Sequence, residues 1–151
     1  MLKKYLFEPN YRVLCIYRLS EKLLDGGKLS RILAYLLRNH LKVKYSIEFN
    51  NIKKIGKNLT IFHFNGIVIG YGCTIGENLT IYNQVTIGGK RMNGETKYPV
   101  IGDNVTIYPG ARVVGDIKVG SGSVIGPNVV VYKDLPENTT VLNKNMDLIF
   151  K

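Results

Sequence analysis

No stretch of the 151-residue chain approaches the ~18 consecutive apolar residues that a membrane-spanning helix needs. The opening MLKKYLFEPNYRVLCIYR has the lysines of a secretory leader, but Glu8, Arg12 and Arg18 interrupt its apolar core. A cytoplasmic protein is therefore expected. Cysteine is scarce: Cys15 and Cys73 lie far apart, match no metal-ligand spacing and read as free thiols in a reducing compartment. Histidine is as scarce. The repeat region described below holds only His63, which rules out a zinc site needing three histidines from distinct repeat positions. The chain lacks a Walker motif, zinc-finger spacing, an RNP motif and a clear helix-turn-helix, so no nucleic-acid partner is expected. Four N-x-[ST] triplets, at Asn58, Asn78, Asn104 and Asn138, read as turns.

Acidic residues are also few, 11 against 21 Lys and Arg. The imbalance is concentrated in residues 1–47, where ten Lys/Arg face three Asp/Glu, against eleven and eight over 48–151. A basic first third suits a solvated helix surface or a peripheral contact with an anionic membrane. Over 10–44 the pattern predicts two amphipathic helices. Leu14, Tyr17 and Leu24 share one face of the first, which stops at Asp25-Gly26-Gly27. Leu29, Leu33, Leu36 and Leu37 recur with helical spacing in the second, after Ser30 as a candidate cap. His40 falls near that apolar phase and reads as a residue for packing or a local hydrogen bond.

From residue 49 the period changes to six. Phe49, Ile55 and Ile61 lead to Ile69, Ile75, Ile81 and Ile87, then to Ile101, Ile107, Val113, Val119, Ile125 and Val131. Leu59, Leu79, Val85, Val105, Ala111 and Ile117 form a second set four residues later. Six residues are too few for a hairpin repeat and match the hexapeptide period of a parallel β-helix. Three hexapeptides make a triangular coil of about 18 residues, with the aliphatic stack filling a narrow prism. Handedness is left open by the pattern. The rhythm breaks twice: Ile61 to Ile69 spans eight residues, beside His63, and Ile87 to Ile101 spans fourteen, opening a loop over 88–100. Three segments result: helices over 1–47, a β-helix over 48–141 and a tail over 142–151.

The run GIVIGYGCTIGENLTIYNQVTIGG (66–89), followed by a loop ending in YPVIGDNVTIYPGARVVGDIKVGSGSVIGPNVVV, resembles the serine acetyltransferase branch of the hexapeptide acyltransferases. The resemblance covers 49–141 well and the helices loosely. It implies a left-handed β-helix, mainly β behind two short helices, assembled as a homotrimer with acetyl-CoA between subunits and no metal. It implies His63 as general base, being the histidine three residues before G-I-V, with Glu48, fifteen residues earlier, as the carboxylate that orients it; the family normally has aspartate there. Gly88 and Gly89 then meet the pantetheine arm, with Pro109 and Pro127 where family alanines line it. Lys133, with Arg91, Lys97 and Lys144, is a candidate phosphate partner. Phe62, Asn65 and Tyr98 fall in the acceptor region.

A hydroxyl attacks a thioester slowly without a base, and histidine, near about 6.5 when unperturbed, suits that task at neutral pH. Phe62 stands where the family places an aspartate for serine, and Tyr98 where it places a histidine. Aromatic surfaces suit a sugar face better than an ammonium and a carboxylate. The expectation is an acetyl-CoA-dependent O-acetyltransferase acting directly on a saccharide hydroxyl, as in a surface-polysaccharide or lipid-linked precursor. Serine O-acetyltransferase is the first alternative and a non-catalytic β-helix scaffold the second.

Overall fold

The computed structural model describes residues 2–50 and 55–143. Three helices lead the chain: α1 (Leu2–Phe7), α2 (Pro9–Leu24) and α3 (Lys28–Tyr45). Pro9 opens α2, where its missing N–H is one the helix would leave unpaired anyway. Asp25 ends α2, and the following Gly26 N–H bonds the Leu23 carbonyl at 3.2 Å. Ser30 does not cap α3. The helix starts two residues earlier, after Gly27, and the Ser30 hydroxyl instead donates to the Leu23 carbonyl at 2.7 Å. The two long helices pack as an antiparallel pair through Val13, Ile16, Tyr17, Ala34 and Leu41, all buried. Leu29, Leu33 and Leu36 do not join that core: they are 80%, 47% and 59% exposed. His40 also faces outward, its ring edge-on to Tyr45 at 5.9 Å.

A three-sided parallel β-helix follows. Its first face stacks Glu48–Phe49, Val68–Ile69, Thr86–Gly88, Arg112–Val114 and Val130–Val131. Its second stacks Thr74–Ile75, Val100–Ile101 and Lys118–Val119, extended by single bridges from Ile55 to Ile75 and from Leu135 to Val119. The third stacks Thr60–Ile61, Thr80–Ile81, Thr106–Ile107, Val124–Ile125 and Thr140–Val141. Every pairing between coils is parallel. The register puts Phe49, Ile69, Ile87, Val113 and Val131 in one column, and each residue of the six-residue lattice is buried. Each coil hides its edge on the next, so stability is mostly a nearest-neighbour sum.

The N-x-[ST] asparagines explain the corner between the second and third faces. Asn58, Asn78, Asn104 and Asn138 all have left-handed φ, between +54° and +57°. Asparagine tolerates that region better than most residues. Each stands three residues before an inward aliphatic, with an outward threonine between. Asn58 Nδ2 donates to Asn78 Oδ1, and Asn78 Nδ2 to Asn104 Oδ1, both at 2.9 Å.

A partly buried ion pair of α2 helps fasten the helices to the first coil. Arg18 Nη1 meets Glu21 Oε2 at 2.7 Å. The guanidinium also donates to the carbonyls of Ile55 and Gly56, at 2.7 and 2.6 Å. Glu21, 6% exposed, accepts from Tyr17 Oη at 2.7 Å and from the Ile55 N–H at 3.2 Å. None of the described helices is long and apolar enough to cross a membrane.

Candidate active site

His63 sits at the corner between the third and first faces. In the later coils this corner needs one left-handed residue three positions after the inward aliphatic: Gln84, Gly110 and Asn128. The longer first turn uses Gly66 for that purpose and adds a second left-handed residue, His63, at φ +53°. Holding a non-glycine residue there costs on the order of 1–3 kcal/mol. The two-residue insertion therefore turns one ring out of the regular stack. His63 is exposed and lines an open hollow with Phe64, Asn65 and Asn83.

The same edge continues along the prism. His63, Asn83, Pro109 and Pro127 each stand two residues after an inward residue of the third face, in successive coils. Asn83 was not singled out from the sequence, although its place two residues after Ile81 matches that of His63 after Ile61. The Pro109 carbonyl accepts the Asn128 N–H at 2.9 Å, and the Pro127 carbonyl accepts from Asn143 Nδ2 at 3.2 Å. Each carbonyl keeps one lone pair for another donor. Beside this edge runs an aromatic column. Phe62 stacks on Tyr82 with centroids 5.1 Å apart, and Tyr82 on Tyr108 at 5.0 Å. Phe62 is 42% exposed.

In this structure the partners of the Glu48 carboxylate are Lys42 and Asn50, not His63. The Glu48 and His63 backbones are close: the Gly66 N–H bonds the Ser46 carbonyl, and the Glu48 N–H bonds the Ile67 carbonyl. The side chains diverge. Glu48 Oε2 lies 3.2 Å from Lys42 Nζ and accepts from Asn50 Nδ2 at 3.2 Å. Its extra methylene, compared with aspartate, carries the carboxylate to the last turn of α3, where Lys42 meets it. There it lines a different cleft, with Arg38, Lys42, Asn50 and Tyr71.

Gly88, Gly89, Tyr98 and Lys133 belong to the other end of the first face. Gly88 closes a strand, and its carbonyl accepts the Gly115 N–H at 3.1 Å. The loop after it is a β-hairpin, Lys90–Met92 paired with Glu95–Lys97. Its tip is Asn93-Gly94, at φ +48° and +87°, a turn dipeptide readable in the sequence. Tyr98 anchors this hairpin. Its half-buried ring lies over Gly70, Gly72 and Gly89, where a Cβ on Gly72 or Gly89 would come within 2.4 or 2.8 Å of it. Gly89 thus has a packing reason to be glycine, and Tyr98 is turned onto the prism. Lys133 Nζ lies over the Tyr132 ring at 5.8 Å, and Lys97 pairs with Asp116 at 3.1 Å. Arg91 is exposed on the hairpin; Lys144 lies outside the described residues.

The expected binding residues therefore divide between two edges of the prism, with His63, Phe62, Asn65, Pro109 and Pro127 on one. Cys73 supplies no nucleophile. It is fully buried, its Sγ donates to the Ile87 carbonyl at 3.4 Å, and burial pushes the thiol pKa up to about 11. Among the described residues, no cluster of three or more His, Cys, Asp or Glu could hold a metal ion.

Residues 98–133 match the family described as bacterial transferase hexapeptide (six repeats). That match falls on the later coils of the β-helix. Over 96 residues, 64% of this chain, it is 49% identical to a serine acetyltransferase of Staphylococcus aureus strain Mu50 and 48% identical to one of Staphylococcus epidermidis. The chain spans less than half of those relatives, 45% of each. Among solved structures it resembles a Neisseria gonorrhoeae serine acetyltransferase, with TM-score 0.78 and 29% identity over 93% of this chain and 59% of that one. A soybean serine acetyltransferase complexed with serine matches at TM-score 0.76 and 31% identity, covering 91% and 56% of the two chains. The hexapeptide coil here is the left-handed parallel β-helix that the resemblance implied.

Proposed function

We propose that this chain catalyses acetyl transfer from acetyl-CoA to the hydroxyl of a small acceptor. His63 carries the reading. It is held in a left-handed turn, faces an open hollow, and stands at one end of the edge that bears Pro109 and Pro127. The imidazole takes the acceptor's hydroxyl proton as the oxygen attacks the thioester carbonyl carbon. The C–S bond then breaks, and His63 returns that proton to the departing thiolate. A positioned base of this kind contributes roughly 10²–10⁴-fold. Asn65 and Asn83 offer amide hydrogen bonds beside the ring. Glu48, held by Lys42, has no part in this scheme.

Serine is the first acceptor to test, because the relatives above are named serine acetyltransferase. A saccharide is the second, favoured by the column Phe62, Tyr82 and Tyr108, which offers flat apolar area beside His63. We also propose that the working unit is a homotrimer in which the first edge of one copy faces the hairpin edge of the next. That packing would reunite residues a single chain keeps apart.

The test incubates purified protein with acetyl-CoA and a panel of L-serine, hexoses and sialic acid, reading free thiol release. Acceptor-dependent release is expected, falling at least about hundredfold in His63→Ala with the far-UV circular dichroism unchanged. Near-normal turnover in that variant would refute the role of His63. Thiol release with sugars and not with serine would reverse the order of acceptors.

A further inference from the structure

Helix α3 has two apolar faces. Ala34, Leu37, Leu41 and Tyr45 point to the core. About half a turn round the helix lie Leu29, Ile32, Leu33, Leu36 and Val43, which are 80%, 48%, 47%, 59% and 77% exposed. The stripe lines a shallow apolar hollow with Ser30. A helix in water gains nothing from a second apolar stripe opposite its core face. Exposed apolar area gathered in one place marks an interaction surface.

The charge around the stripe selects the partner. Residues 26–47 contain no Asp or Glu, and Lys28 and Lys44, next to Leu29 and Val43, are exposed, while Arg31 and Lys42 line the separate cleft where Glu48 meets Lys42. Arg38, the remaining cation of α3, turns inward, its Nε donating to Ser20 Oγ at 3.3 Å and its guanidinium over the Tyr17 ring. Two copies meeting through this face would set cations against cations with no acid between them. A flat anionic surface meets the stripe with its acyl boundary and the lysines with its headgroups. Long lysine stems allow both at once.

We propose that the outer face of α3 docks on an anionic lipid surface, the helix lying in the plane of the interface. This surface belongs to the helical segment, and its test is independent of any acetyl-transfer activity.

The experiment is flotation of the full chain with vesicles of phosphatidylcholine alone or phosphatidylcholine mixed with phosphatidylglycerol, at low and high salt. Binding is expected to the mixed vesicles, weakened by salt because lipid charge is screened within a Debye length. Leu33→Ser with Leu36→Ser should reduce binding at least about tenfold without changing charge. Lys28→Gln and Lys44→Gln should each cost about fivefold. Circular dichroism and the mass in solution should stay those of the parent. Absence of binding, or equal binding to neutral vesicles, overturns the proposal. So does a drop in assembly mass in the Leu33/Leu36 variant, which would assign the face to contacts between copies.

Discussion

Glu21→Ala should be among the most damaging single changes outside the prism. The carboxylate is 6% exposed and accepts three hydrogen bonds, from Arg18 Nη1 at 2.7 Å, Tyr17 Oη at 2.7 Å and the Ile55 N–H at 3.2 Å. Hydrogen bonds to a charged group contribute about 1.5–3 kcal/mol each. The Arg18 side chain is a third exposed, so water keeps part of the Arg18 contribution. Removing the carboxylate also takes a partner from the Tyr17 hydroxyl and from the Ile55 N–H, while Arg18 keeps the Ile55 and Gly56 carbonyls. Together these place the loss at about 3–5 kcal/mol. At about 2–4 °C per kcal/mol for a chain of this size, the thermal midpoint falls by about 6–20 °C. The assay is thermal and urea unfolding by circular dichroism at fixed protein concentration, on Glu21→Ala, Arg18→Ala and the double variant. The cycle should give a coupling of about 1.5–3 kcal/mol. A Glu21→Ala loss below about 1 kcal/mol, the range of exposed pairs, would mean that this ion pair does not fasten the helices to the first coil.

Glu48→Gln should leave turnover within about threefold of the parent, because its carboxylate is held by Lys42 and Asn50 and contributes as a partly exposed pair. A loss of a hundredfold, measured as thiol release, would restore Glu48 as the partner of His63. Gly72→Ala should cost about 1–3 kcal/mol, since the new Cβ would lie 2.4 Å from the Tyr98 ring. Urea midpoints should recover in part when Tyr98 is shortened to Leu in the same chain. Cys73 should resist an aromatic disulfide reagent in the folded protein and react only on unfolding. Its thiol pKa is raised from 9.0 to about 11 by burial, so the stability linked to the protonated thiol is full below pH 9.0 and fades as pH rises through about 11. Stopped-flow labelling and urea midpoints across that window check both statements.

The prism was legible in the sequence because every hexapeptide must turn aliphatic side chains inward at the same places. That demand writes Ile or Val at a fixed interval, and every lattice residue from Phe49 to Val131 is buried. The left-handed asparagines were legible for a similar reason: a corner accepts few residue types. The two breaks in rhythm fell at the turn that exposes His63 and at the loop over 88–100, which the structure shows to be a hairpin. The orientation of α3 was not legible, since Leu29, Leu33 and Leu36 have the spacing of a core face and only tertiary packing reveals that Ala34 and Leu41 take that place. Nor was the direction of Glu48. A residue on the outside of a strand has neighbours set by whatever packs there, and Lys42 of α3 decides the matter. The packing of Tyr98 was not legible either, because a loop aromatic beside a cleft and one laid over Gly72 read the same in one dimension.

The division of the candidate residues between two edges has a consequence for mixtures. One variant loses His63 and keeps its hairpin edge; another loses the hairpin contacts and keeps His63. Each alone is silent. Co-refolded in equal amounts, they would scatter through the proposed trimers, and about one junction in four would pair an intact first edge with an intact hairpin edge. Two dead proteins would then yield a partly living one. A site contained within one chain has no such inheritance, since no partner could supply what each copy had lost.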